Sequence, residues 1–219
     1  MSHTVTKNTK HTDKMKTKTL LIAAAALAAT VISSQAQVYS GVVGYISVTN
    51  APGQFTLIAN ALDNGSNTLT SLFPSVPTGS QVQIWNGTSF SVSTKTPTSW
   101  SPNSLLAVGQ GFFLKINTAQ TNTLVGSIDT AIGGTVTNNL TGGVFALIGS
   151  PIPFSDTLAG TNINLKLPTG SQVQVWNGAG FSVATKTPTS WSPNLTIQPG
   201  QGFFVKTSVN TNFVETMPQ

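Results

Sequence analysis

The chain has 219 residues, only 7% of them charged, and contains no cysteine and no arginine. The lack of cysteine excludes disulfides, thiol nucleophiles and the common zinc and iron–sulfur ligand sets. Its formal charge of +5 resides mostly at the N-terminus, where five of the ten lysines and both histidines, His3 and His11, are found.

The first feature in chain order is an export signal. Leu20 to Ile32 is an apolar run too short to span a bilayer as a stable anchor. Lys7, Lys10, Lys14, Lys16 and Lys18 precede it, and Ser34-Gln35-Ala36 follows with small residues at its first and third positions. That order predicts a cleaved signal peptide over 1–36, with Met15 as an alternative start and Gln37 as the first mature residue. Beyond it, Lys95, Lys115, Lys166, Lys186 and Lys206 stand against Asp63, Asp129, Asp156 and Glu215, a net charge of about +1. No basic patch for a phosphate backbone remains, so nucleic acid is not an expected partner. No second apolar segment of spanning length follows, so no integral membrane anchor is expected. The expected location is the periplasm, the cell surface or the extracellular space.

The remaining chain is one unit written twice. Residues 77–115 and 168–206 are identical at 29 of 39 positions without a gap, at an offset of 91. Phe55-Thr56-Leu57-Ile58 is echoed by Phe145-Ala146-Leu147-Ile148. The predicted organisation is therefore a β repeat over 37–130 and a second over 131–219. Runs of Val, Ile, Phe and Thr are cut by Gly, Pro and Asn-Gly, which predicts an all-β fold of two tandem sandwich- or barrel-like repeats of about 90 residues. A short helical turn is expected only at Asn67 to Phe73.

Within the repeat, Asn86-Gly87 and Asn177-Gly178 predict hairpin turns, because both residue types tolerate positive φ. A three-residue loop would place Val82, Ile84, Phe90 and Val92 on one face, and one-face burial favours that register. The adjoining Trp85 and Trp176 then sit at the turns. The Gly109-Gln110-Gly111 and Gly200-Gln201-Gly202 segments precede Phe-Phe strands rather than helices, so they predict backbone bends and not phosphate loops. In the following strand Phe112 and Leu114 share one face, Phe113 and Lys115 the other.

Reactive side chains are scarce. No histidine remains after the leader, which removes Ser-His-Asp and Cys-His chemistry. Ser93 lies near Lys95 without the helical spacing of a Ser–Lys catalytic pair. Asp63, Asp129, Asp156 and Glu215 do not occupy matching positions in the two copies, and Asp63 and Asp156 have the context of turn residues. No catalytic, cofactor-binding or metal-binding residue is expected. Lys115 and Lys206 are weighed as isopeptide-forming lysines against ordinary edge charges. The four tryptophans, Trp85, Trp100, Trp176 and Trp191, are the candidate ligand-stacking residues, set against an ordinary role in packing.

At W-N-G-x-x-F, W-S-P-N and G-Q-G-F-F the chain resembles a group of secreted bacterial β-repeat proteins. The resemblance implies export and a repeat architecture and carries no activity or site residue. At the end of the second copy, Val214-Glu215 stands where the first has Val125-Gly126, which suggests a differently paired last strand. The function expected is that of an exported, non-catalytic structural or interaction protein. Its candidate partners are a second copy or another envelope protein. The alternative is a carbohydrate-binding module that meets polysaccharide through surface tryptophans.

Overall fold

Short β-branched and aromatic runs interrupted by turn residues favour many brief strands over helices. The computed structural model describes residues 43–128 and 134–217. The leader and Asp129 lie outside the described residues. The first copy contributes β1 (Val43–Asn50), β2 (Phe55–Ala59), helix α1 (Leu69–Leu72), β3 (Gln81–Trp85), β4 (Phe90–Lys95), β5 (Trp100–Ser101), β6 (Gly111–Lys115) and β7 (Gln120–Ser127). The second contributes β8 (Thr135–Leu140), β9 (Phe145–Gly149), β10 (Asp156–Thr157), β11 (Gln172–Trp176), β12 (Phe181–Lys186), β13 (Trp191–Ser192), β14 (Thr196–Ile197), β15 (Gly202–Lys206) and β16 (Thr211–Thr216). The fold is all-β, and α1 is the short helical turn expected, capped by a reciprocal pair of bonds between Thr68 and Ser71.

Each copy builds the same two pieces. One is a five-stranded antiparallel sheet, ordered β2-β6-β3-β4-β5 in the first copy and β9-β15-β11-β12-β13 in the second. The other is a two-stranded ribbon, β1 with β7 and β8 with β16. Ile46 and Leu124 of the first ribbon join Val82, Phe112 and Leu114 of the first sheet in one core. Leu140 and Phe213 join Val173, Phe203 and Val205 in the other. The last strand pairs as its counterpart does, antiparallel to the first strand of its copy, contrary to the sequence expectation. The register equates Glu215 with Leu124, without the shift that aligned it with Gly126.

The hairpins differ from the expected register. Trp85 pairs with Phe90 and Trp176 with Phe181, so the loops have four residues, closed by Asn86 N–H to Ser89 O and Asn177 N–H to Gly180 O, both at 3.0 Å. Val82 and Ile84 therefore face the copy's own core, while Phe90 and Val92 lie with Trp85 on the opposite face. One-face burial misled because this sheet has a second apolar face, which the other copy covers in part: Phe113 is buried there, while Phe90 and Val92 stay 38% and 45% exposed.

That shared seam is aromatic. Leu57, Phe113, Leu147 and Phe204 are buried there, with Phe55, Trp85, Phe145 and Trp176 packed around them. Phe113 and Phe204 meet at a centroid distance of 6.4 Å, and Phe55 and Phe145 stand edge-on to them at 5.9 and 6.0 Å. Burial of each large ring contributes roughly 2–3 kcal/mol. The first core also takes Ile152 and Met217 from the second copy. The two copies thus share buried surface and pack as one unit.

Candidate functional site

Two of the motifs that recur in both copies, W-N-G and G-Q-G, converge on the seam. Trp85 and Trp176 end the β3 and β11 strands, where alternation points them away from their own cores. Trp85 Nε1 donates to the carbonyl of Phe145 at 2.8 Å, and Trp176 Nε1 donates to the carbonyl of Phe55 at 3.0 Å. Each indole therefore fastens its copy to the first sheet strand of the other. Both are half-buried, so part of each ring remains open.

Trp100 and Trp191 are placed differently. They are 3% and 4% exposed, and their Nε1 groups donate to the carbonyls of Phe73 and Leu165 within their own copies. Their ring faces are covered by protein, so the candidate stacking set reduces to Trp85 and Trp176. The W-S-P-N string that carries Trp100 and Trp191 contains a cis Ser-Pro bond in both copies.

The G-Q-G segments bend into the seam. Ala59 N–H donates to Gly200 O at 2.8 Å, and Gly149 N–H donates to Gly109 O at 3.0 Å. A β-carbon on Gly111 would come within 2.9 Å of the Ile148 carbonyl, and one on Gly202 within 2.7 Å of the Ile58 carbonyl. Glycine is needed here because the backbone of the opposite copy occupies the side-chain position.

Two recesses border this seam. The first is an apolar recess of about 330 Å³, open to solvent, walled by Trp85, Phe90, Phe113, Phe181 and Phe204, with Gln174 as its amide. The second is an open groove of about 480 Å³ along β1 and β2, with Trp176 and Asn177 on one side and Gln198 and Gln201 on another. Among the described residues, no charged side chain lines either recess.

The titratable groups lie elsewhere. Asp63 Oδ1 accepts from Gly65 N–H at 2.8 Å and from Asn67 Nδ2 at 2.6 Å. Asp156 accepts from the amides of Asn162 and Thr157, and those bonds hold its carboxyl below the usual range. Both side chains bond nearby backbone amides as the sequence suggests, although Asp63 lies in a β-bridge to Ser127 and Asp156 in strand β10 rather than in a turn. Ser93 bonds to Ser104 at 3.0 Å. Lys115 and Lys206 lie over the rings of Phe55 and Phe145, at 5.5 and 5.4 Å from their centroids. Among the described residues, no group of three or more His, Cys, Asp or Glu side chains is arranged to hold a metal ion.

Glu215 is the group that sequence reasoning missed. It is 2% exposed, and burial pushes its carboxyl up to about 8 against hydrogen bonds from Ser150 and Ile152. Ser150 Oγ lies 2.9 Å from Glu215 Oε2 and also contacts the Ile152 carbonyl. Ser150 Oγ in turn accepts from Ile152 N–H at 3.2 Å. The sequence signal was an acid at a position that alternation assigns to the inner face of the ribbon.

Among the described residues, no helix is long and apolar enough to cross a membrane. The chain matches no protein-family model, and no curated protein or solved structure is significantly similar to it.

Proposed function

We propose that this chain is an exported, non-catalytic interaction protein of the cell envelope or extracellular space. In this role the two copies form one rigid scaffold whose uncharged polar surface meets a partner. The observation that carries this reading is the use of the recurring motifs. Trp85, Trp176 and both G-Q-G segments are engaged in joining the copies, so the strongest sequence signals are accounted for by assembly. What remains exposed is largely hydroxyl and amide, as on the first ribbon, where Ser47 faces Thr123 and Thr49 faces Thr121. The leader and the resemblance to secreted repeat proteins support export.

The outer face of that ribbon also presents Tyr45 opposite Val125, 76% and 54% exposed, beside Val43. Exposed apolar side chains on a ribbon favour contact with a second copy or another envelope protein. Fractionation of expressing cells tests the reading directly. The expected result is a chain outside the cytoplasm whose first residue is Gln37. A cytoplasmic chain that retains its leader would overturn it. Sedimentation at high concentration tests the second-copy contact, and a strict monomer counts against it.

A further inference from the structure

We infer that the open groove beside Trp176 is a binding site for a neutral polysaccharide. This rests on the reading of the chain as a non-catalytic interaction protein and names its partner chemistry. The lining carries the two features that sugar rings need. Trp176 supplies an aromatic surface for the apolar face of a pyranose, with its N–H already committed to Phe55. Amides from several elements supply hydrogen bonds to hydroxyls, and no charged side chain is present to select an ionic ligand.

Three of those amides are held by their oxygens, which leaves their NH₂ groups to donate. Asn177 Oδ1 accepts from the N–H groups of Ala179 and Gly180. Gln201 Oε1 accepts from Gln198 N–H at 2.9 Å, and Gln198 Oε1 accepts from Ser155 at 3.2 Å. Such anchoring fixes the donors before a ligand arrives, which lowers the ordering cost of binding.

The duplication supplies an internal control. Trp85 with Asn86 occupies the corresponding place at the other seam, and Gln110 matches Gln201. There, however, the equivalents of Gln54, Thr56 and Gln198 are Val144, Ala146 and Ala107. The equivalents of Val48 and Ala51 are in turn the more polar Asn138 and Thr141, so the two ends of the seam place polar side chains differently around equally well-formed indole bonds. The two amides that stand beside Trp176 and have no counterpart beside Trp85, those of Gln54 and Gln198, are assigned to a ligand.

The test replaces Gln54→Val and Gln198→Ala, which installs at two exposed positions the residues that the other seam already carries. The purified full chain and this variant are run in native gels containing soluble β-glucan, xylan, galactomannan or dextran. The inference expects retardation of the parent chain by at least one of these polymers. It expects the variant to bind roughly tenfold more weakly or worse, because each hydrogen bond contributes a factor of a few. Urea unfolding of the variant should match that of the parent. Absence of retardation by all four polymers overturns the inference. So does equal retardation of the variant, or a preference for polygalacturonate over the neutral polymers. Those outcomes leave the interaction reading standing, whereas release of reducing sugar by the purified chain would overturn the non-catalytic reading itself.

Discussion

The two ribbons are built to the same register but hide different chemistry. On its inner face the first carries Ile46, Val48 and Asn50 on β1, and Asn122 and Leu124 on β7. The second carries Val136, Asn138, Leu140, Phe213 and Glu215 at the equivalent places. Asn50 with Asn122 is thus replaced by Leu140 with Phe213, while Leu124 is replaced by an acid. The comparison teaches that a ribbon face tolerates polar burial at different points, provided each buried group finds a partner. Asn122 finds Asn50 at 3.2 Å and Gln120 at 3.0 Å, and Glu215 finds Ser150. The partnering is incomplete, since the Nδ2 atoms of Asn50 and Asn138 are buried without an acceptor.

The seam is where the copies behave most alike, and it should give the largest effects. Phe113→Ala and Phe204→Ala each remove a ring from the same buried cluster and should each cost about 3–5 kcal/mol by urea denaturation. The rings touch, so the double variant should cost less than the sum of the single ones. Full additivity would mean that the seam is not one cooperative contact.

The second ribbon should respond to pH where the first does not. Glu215 has a folded pKa of about 8 against an ordinary 4.5, so between those values the folded chain binds more protons than the unfolded chain. Stability must then fall as pH rises through that window, by a few kcal/mol at most, and level off above it. Glu215→Leu gives the second ribbon the residue of the first and should abolish that slope, with the variant more stable than the parent at pH 9. Thermal unfolding across pH 5 to 9 measures both. A parent profile that is flat through this range would place the carboxyl in contact with water.

A smaller effect is expected in the first ribbon. Asn50→Leu with Asn122→Phe transplants the apolar pair and should be neutral to stabilising by about 1 kcal/mol, since the two buried amides leave together and half-buried Gln120 can turn to water. Asn122→Phe alone should destabilise, because it strands Asn50. The sign difference is the test, read from a double-mutant cycle in urea.

How far these features were legible depends on whether one copy or two decide them. The repeat, the all-β class, the helical turn at Leu69 and the bend at Gly109 are local, and short runs with turn residues specify them. The hairpin register at Trp85 was not legible, because the face on which Phe90 packs is completed by residues such as Phe204 more than a hundred positions away. Trp100 and Trp85 likewise look equivalent in sequence, both being aromatic residues beside turns. Only the tertiary fold buries the first under Phe73 and leaves the second spanning the seam. Glu215 escaped for a related reason, as the repeat was aligned by its Val residues rather than by strand pairing.

The two staples give the finest comparison, because their bonds are nearly the same and their surroundings are not. Trp85→Phe and Trp176→Phe each remove one N–H donor while keeping an aromatic ring in the seam. The Phe145 carbonyl stands beside Val144 and Ala146, where little else can replace the lost bond. The Phe55 carbonyl borders the open amide-lined groove, where water can enter and satisfy it. Trp85→Phe should therefore cost about 1 kcal/mol or slightly more, and Trp176→Phe roughly half of that. Urea midpoints measured in parallel resolve the difference. Equal losses would show that the groove does not hydrate its carbonyl, and a larger loss at Trp176 would reverse the assignment of which seam is the drier.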